Sequence, residues 1–174
     1  MKVTKFADIP QFTSNGNWQC NFRVAEVWRW VKDHERELGG IDLDPDFQRS
    51  HVWTEAQQIA WLEFFFRGGK TGRVIYFNHP GWMRDWNGTL TLVDGKQRLE
   101  AIRRFMEDEI PIFGSYRREF TDKSHCFDLE ICVNNLKTRR QMIQWYIDMN
   151  AGGTPHTNRE IDAARALLEK EPLT

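Results

Sequence analysis

Paired cysteines are missing from this chain. Cys20, Cys126 and Cys132 are odd in number and show no C-x-x-C spacing, which argues against a disulfide framework. The five histidines include no H-x-x-x-H pair, and nothing in the spacing of His125, Cys126 and Cys132 asks for zinc. Neither sign of charge prevails: 24 basic residues face 25 acidic ones, for a net charge of −1. No whole-molecule field therefore draws in nucleic acid, and any recognition of phosphate has to be local. Long apolar runs are absent too, and residues 1–8 lack a signal-peptide core, so the expectation is a cytoplasmic protein without a membrane partner. Repeats, low-complexity tracts and linkers are not seen. The 174 residues are expected to form one domain with its core over about 22–170.

What is present is a series of short apolar patterns with clear punctuation. Val24, Val27, Trp28 and Val31 recur at helical spacing, with Gly39-Gly40 after them. Thr54 with Gln57 forms a capping box, so a helix begins at Glu55; its apolar content (Ile59, Leu62, Phe64, Phe65, Phe66) predicts burial between other elements. Val74–Phe77 reads as a strand, and Leu129, Ile131 and Val133 alternate with polar residues as a half-buried one. Thr138 with Gln141 and Thr157 with Glu160 cap two later helices. Residues 1–21 show only weak periodicity. The loop before Thr89 carries Trp82 and Trp86, which either fold down over the core or offer a stacking platform to a base or a partner.

The stretch Leu92 to Leu99 concentrates the chemistry. A β-branched run ends at Asp94-Gly95, a turn signal, and Leu99, Ile102, Phe105 and Met106 then recur as a helix. Strand, tight turn and helix put the positive end of a helix dipole beside Lys96, Gln97 and Arg98, a place for an anion such as phosphate. Gly95 lets backbone come close to the ligand, Arg98 can grip two oxygens, and Asp94 can orient Arg98 or hold a metal-bound water. Alone, the same residues also read as a capped helix with solvated charges. Gln48 and Arg49 precede the Thr54 helix, where a loop can present them.

In order, Phe47-Gln48-Arg49 with Trp53, Asp94-Gly95-Lys96-Gln97-Arg98, and Asn150-Ala151-Gly152-Gly153-Thr154-Pro155 before Arg159-Glu160-Ile161 resemble one family. The chain resembles the DGQQR domain at the N-terminus of GmrSD-type modification-dependent restriction enzymes, within the ParB and sulfiredoxin-like superfamily. The resemblance implies an α+β domain, a small mixed sheet packed with several helices. It also implies a nucleotide-binding, Mg²⁺-dependent nucleoside triphosphatase acting as sensor or switch in DNA restriction or phage-host defence. Asp94, Gln97 and Arg98 would be catalytic, and Gln48, Arg49, Gly95, Lys96 and Asn150 would bind nucleotide and phosphate. Asp94 would reach Mg²⁺. Lys96 departs from the pattern, standing where the family has its first glutamine. Larger members carry a histidine-asparagine-histidine nuclease domain after this one, and none is expected before Thr174; His156 and Asn158 do not form such a centre.

Two further readings stand beside the triphosphatase. One is a non-catalytic nucleotide- or DNA-binding regulator that interferes with a restriction system, which Lys96 and the tryptophan loop favour. The other is ParB-like DNA cleavage, for which no acidic cluster stands out. The partners implied are a nucleoside triphosphate, DNA, a separate nuclease or restriction subunit, and a second copy of the chain.

Overall fold

A computed structural model describes residues 3–4, 9, 18–37, 40–48, 52–122, 128–151 and 158–172. Five strands and five α-helices lie among them, an α+β fold around one mixed sheet, as the sequence predicts. The strands are β1 (Trp18–Arg23), β2 (Ile41–Asp42), β3 (Val74–Asn78), β4 (Leu90–Asp94) and β5 (Asp128–Asn134). The helices are α1 (Val24–Glu37), α2 (Glu55–Phe66), α3 (Lys96–Met106), α4 (Arg139–Ala151) and α5 (Asn158–Lys170). The sheet order is β1-β5-β3-β4-β2; β1 and β4 run antiparallel to β5 and β3, while β3 pairs parallel with β5 and β2 parallel with β4.

Alternation along the strands sorts two cores. Leu129, Ile131 and Val133 of β5 join Ile75, Phe77, Leu90 and Leu92 in one buried cluster with residues of α1, α2 and α3. Val93 turns to the opposite face, where it packs with Ile143, Tyr146 and Ala164 from α4 and α5. Both capping boxes within the described residues form. Thr54 and Gln57 exchange side-chain and backbone hydrogen bonds at α2, and Thr138 and Gln141 do so at α4. Thr157 lies outside the described residues, so the third box does too.

Three expectations need correction. First, α2 is only half buried. Its core stripe is Gln58, Leu62 and Phe65, while Phe64 is 46% exposed, because a run of three phenylalanines wraps around a helix rather than following one face. Second, residues 18–23 form a strand that weak periodicity hid. β1 is a sheet edge with most of its residues exposed, so no apolar alternation was required of it. Third, Trp82 is no platform: only 5% exposed, it packs edge-on against Trp18 at 5.3 Å and lies stacked on His34 at 6.0 Å. The loop closes on itself to hold it there, the amides of Arg84 and Trp86 both donating to the Gly81 carbonyl. Trp86 stays 38% exposed, its ring 4.8 Å from that of Trp82. No helix among the described residues is long and apolar enough to cross a membrane.

His79 lies in the same aromatic cluster, fully buried, with Nδ1 accepting from the Gly81 amide. Burial, then the neighbouring His34, lowers its pKa below the usual histidine value, against a smaller opposing pull from Asp85. The unfolded chain therefore takes up a proton that the folded one refuses. Stability is complete above the unfolded value of about 6.5 and falls as pH drops below it. Thermal unfolding followed by circular dichroism should show the melting temperature decreasing from pH 7 to pH 5. The decrease should be shallower in His79→Gln.

Candidate functional site

The junction between β4 and α3 is the predicted strand, turn and helix, built with no residue to spare. Gly95 is the N-cap of α3 at φ +103°, and no side chain caps the helix. A Cβ on Gly95 would stand 3.1 Å from both γ carbons of Ile75 on β3. The glycine thus serves the close passage of backbone over a neighbouring strand, a demand the sequence reading had assigned to phosphate. With so abrupt a turn, the last residue of β4 and the first turn of α3 face each other. Arg98 Nη2 donates to Asp94 Oδ2 at 2.6 Å, the two side chains being 20% and 39% exposed.

The other residues of the motif brace the surrounding loops. Gln97 is buried, and its side-chain carbonyl accepts from the amides of Val52 and Trp53 at 3.1 and 3.0 Å, fixing the approach to α2. Gln48 donates its side-chain amide to the Leu92 carbonyl of β4. Lys96 is ion-paired with Asp44, just after β2. The geometry therefore gives Gln97 and Gln48 positioning roles, and it sets a carboxylate against Lys96. Asp44 is not a residue the sequence singles out; its alternation with Asp42 ahead of Pro45 is the available signal.

A small cleft opens here, lined by Gln48, Trp53, Gly95 and Tyr146 together with Asp94, Lys96, Gln97 and Arg98. It encloses about 90 Å³. At ~30 Å³ per water that is room for about three waters or one tetrahedral oxyanion, well short of the ~300–1,000 Å³ that encloses a drug-sized ligand. Arg98 Nε is closed off from solvent and has no acceptor among the described residues, and neither has Trp61 Nε1. The added Cβ of Gly72 would lie within 4.0 Å of both side chains, so they are neighbours. Trp53 and Tyr146 are contributions that sequence reasoning missed as site residues, since both look like core aromatics. Asn150 sits one turn beyond Tyr146 and donates to its carbonyl at 2.7 Å; it does not line the cleft. Arg49 lies outside the described residues, as do Gly152, Gly153, Thr154 and Pro155.

Among the described residues no group of three His, Cys, Asp or Glu side chains is arranged to hold a metal. Among the described residues Asp94 is the one carboxylate lining the cleft, and Arg98 already binds it. A Mg²⁺ drawn to that oxygen would meet a guanidinium and an ammonium alongside, so the described residues do not fit a protein-held Mg²⁺. Cys132 is no better a ligand: burial, reinforced by Glu130, pushes its thiol up to about 12. His125 and Cys126 lie outside the described residues. Three further arginines are engaged by carboxylates. Arg103 binds Glu100, Glu107 and Glu109, and Arg104 binds Glu55 and Glu109. Arg139 binds Asp46 and Glu171.

No family model, no curated protein and no solved structure matches this chain.

Two substitutions test the architecture of the junction. Gly95→Ala meets both a positive φ and Ile75, and should lower the free energy of unfolding in urea by roughly 1–3 kcal/mol or more. Gln97→Leu leaves two amides without their acceptor and should cost roughly 1–3 kcal/mol by the same measurement.

Proposed function

We propose that the cleft at the head of α3 binds the phosphate of a nucleotide and that the domain acts as a nucleotide-responsive regulator without turnover of its own. The observation that carries this reading is Arg98: a guanidinium held by Asp94 on one nitrogen, with its Nε buried and lacking an acceptor among the described residues. Such a group is costly unless something completes it. An incoming phosphate supplies oxygens for the guanidinium and carries more charge than the Asp94 carboxylate it competes with. Arg98 then passes from an internal partner to an external one, and the strand-to-helix junction senses the change.

Hydrolysis has less support. Asp94 is engaged by Arg98, Gln97 is spent on two backbone amides, and no described residue in the cleft is a free general base. The cleft admits one phosphate group, so the rest of a nucleotide would lie outside its described walls. The resemblance to the DGQQR domain supports a place in DNA restriction or phage-host defence, in the cytoplasm. Its partner there would be DNA, a separate nuclease subunit or a second copy of the chain.

The test is thermal shift with ATP, GTP, CTP, UTP and inorganic phosphate, beside an assay of phosphate release. At least one ligand should raise the melting temperature of the wild type, by an amount equivalent to ~2.7 kcal/mol at a hundredfold excess over Kd. Arg98→Ala should abolish the rise, and phosphate release should stay at the buffer rate. The reading falls if no ligand shifts the wild type, or if Arg98→Ala responds equally. Phosphate release that depends on Arg98 would return the triphosphatase reading to first place.

A further inference from the structure

A far larger hollow of about 760 Å³ lies away from the Arg98 cleft, between the start of α1, the end of α3 and residues 112–122. Its floor is apolar: Phe66, Phe105, Met106 and Ile112, of which Phe105 and Ile112 are buried. Phe113 and Phe120 stand on its rim, 46% and 43% exposed. Arg23 and Arg29 border it from the α1 side, Arg117 and Arg118 from the short 3₁₀ turn Arg117–Glu119. A second hollow of about 520 Å³ shares Ala25, Arg29, Met106 and Arg117 with the first and continues it past Trp28 along α1. Together they make an elongated groove rather than a closed chamber.

The charges set this groove apart from the ion-pair networks of α3 and α4. Arg103, Arg104 and Arg139 are each held by at least two carboxylates. Among the described residues no side chain pairs with the guanidinium of Arg23, Arg29 or Arg117; Arg118 alone has a neighbour, Asp108 at 3.9 Å. Arginine, phenylalanine and methionine are residue types that protein interfaces favour over other surfaces, and no lysine lines the larger hollow. Unpaired guanidinium groups over an aromatic floor are complementary to carboxylates carried on an apolar body.

We infer that this groove docks an acidic segment of a partner protein, which sends a large apolar side chain onto the Phe105 floor and carboxylates to Arg23, Arg29 and Arg117. A nucleic acid strand is a poorer occupant. Glu26 and Asp122 also line the hollow and would face the anions of either occupant, so the aromatic floor decides between them. The bases of a strand need open aromatic faces in series. Phe105 is buried, and the Arg67 guanidinium already lies 5.1 Å over the Phe113 ring.

Selection from a library of random short peptides displayed on phage, with the whole chain immobilised, tests the inference directly. Recovered peptides should be rich in aspartate and glutamate around a phenylalanine, leucine or tryptophan. By fluorescence anisotropy, the double variant Arg29→Glu/Arg117→Glu should bind a recovered peptide at least about tenfold more weakly. Arg84→Glu, an exposed change outside the groove, should bind it as the wild type does, and so should Arg98→Ala, which separates this site from the phosphate cleft. Should the charge-reversed pair fold poorly, Arg29→Gln/Arg117→Gln takes its place. The inference is overturned if no peptide is enriched, if the recovered sequences lack acidic residues, or if the double variant binds them undiminished. Displacement of the peptide by an oligothymidine with the same arginine dependence would assign the groove to nucleic acid instead.

Discussion

The candidate site rests on how closely the chain passes over β3 at residue 95. A backbone with a positive φ, and no side chain to collide with Ile75, can leave β4 and enter α3 without an intervening loop. That economy sets Asp94 at the end of a strand opposite Arg98 in the first turn of a helix, four residues on, and lets them pair at 2.6 Å. It also puts Gln97 within reach of the residues ahead of α2, and Lys96 within reach of Asp44. Lys96 and Gln97 thus tie α3 to the connection between β2 and α2, while Asp94 and Arg98 tie the end of β4 to the first turn of α3. A longer turn would break every one of these ties at once.

Charge is distributed by the same logic. Within the Arg98 cleft each described cation has a carboxylate: Arg98 has Asp94, Lys96 has Asp44. The pairs are partly exposed, so their contribution to stability is modest and their readiness to exchange partners correspondingly high. On the outer side of α3, Arg103 sits in a network with three glutamates whose hydrogen bonds raise its pKa, led by Glu100, and Arg104 extends the network to Glu55 of α2. That network fastens α2 to α3. Around the groove beside α1 the opposite rule holds: among the described residues no side chain pairs with Arg23, Arg29 or Arg117, although Glu26 and Asp122 line the same hollow, an arrangement that suits recognition more than cohesion.

Much of this was legible in the chain because its local signals act over a few residues. The capping boxes of Thr54 and Thr138 put helix starts where they occur, and the turn at Asp94-Gly95 with the apolar spacing behind it predicted β4 and α3. What stayed hidden depends on distant neighbours. An edge strand such as β1 needs no apolar face of its own, since β5 supplies its pairing. Trp82 and Trp86 stand four residues apart in one loop, yet one is buried and the other is not, because Trp18, Trp30 and His34 gather around Trp82 from elsewhere in the sequence. Gln48, Asp94, Gly95, Lys96, Gln97 and Arg98 do line one cleft, while Asn150 does not, and the tasks of the two glutamines were not legible. A glutamine beside a phosphate and a glutamine clamping two amides are the same letter until the loop it faces is known.

The strand order also dictates a timetable. Among the described residues β1 pairs with β5 alone, Trp18 lying against Val133, so most of the domain has to leave the ribosome before this early strand finds its place. Meanwhile β3, β4 and α3 are contiguous enough to assemble as a hairpin with its helix. The turn between β4 and α3 would then take shape on a half-made sheet, with β1 still waiting for the late-arriving β5 and the cleft still lacking Tyr146 of α4.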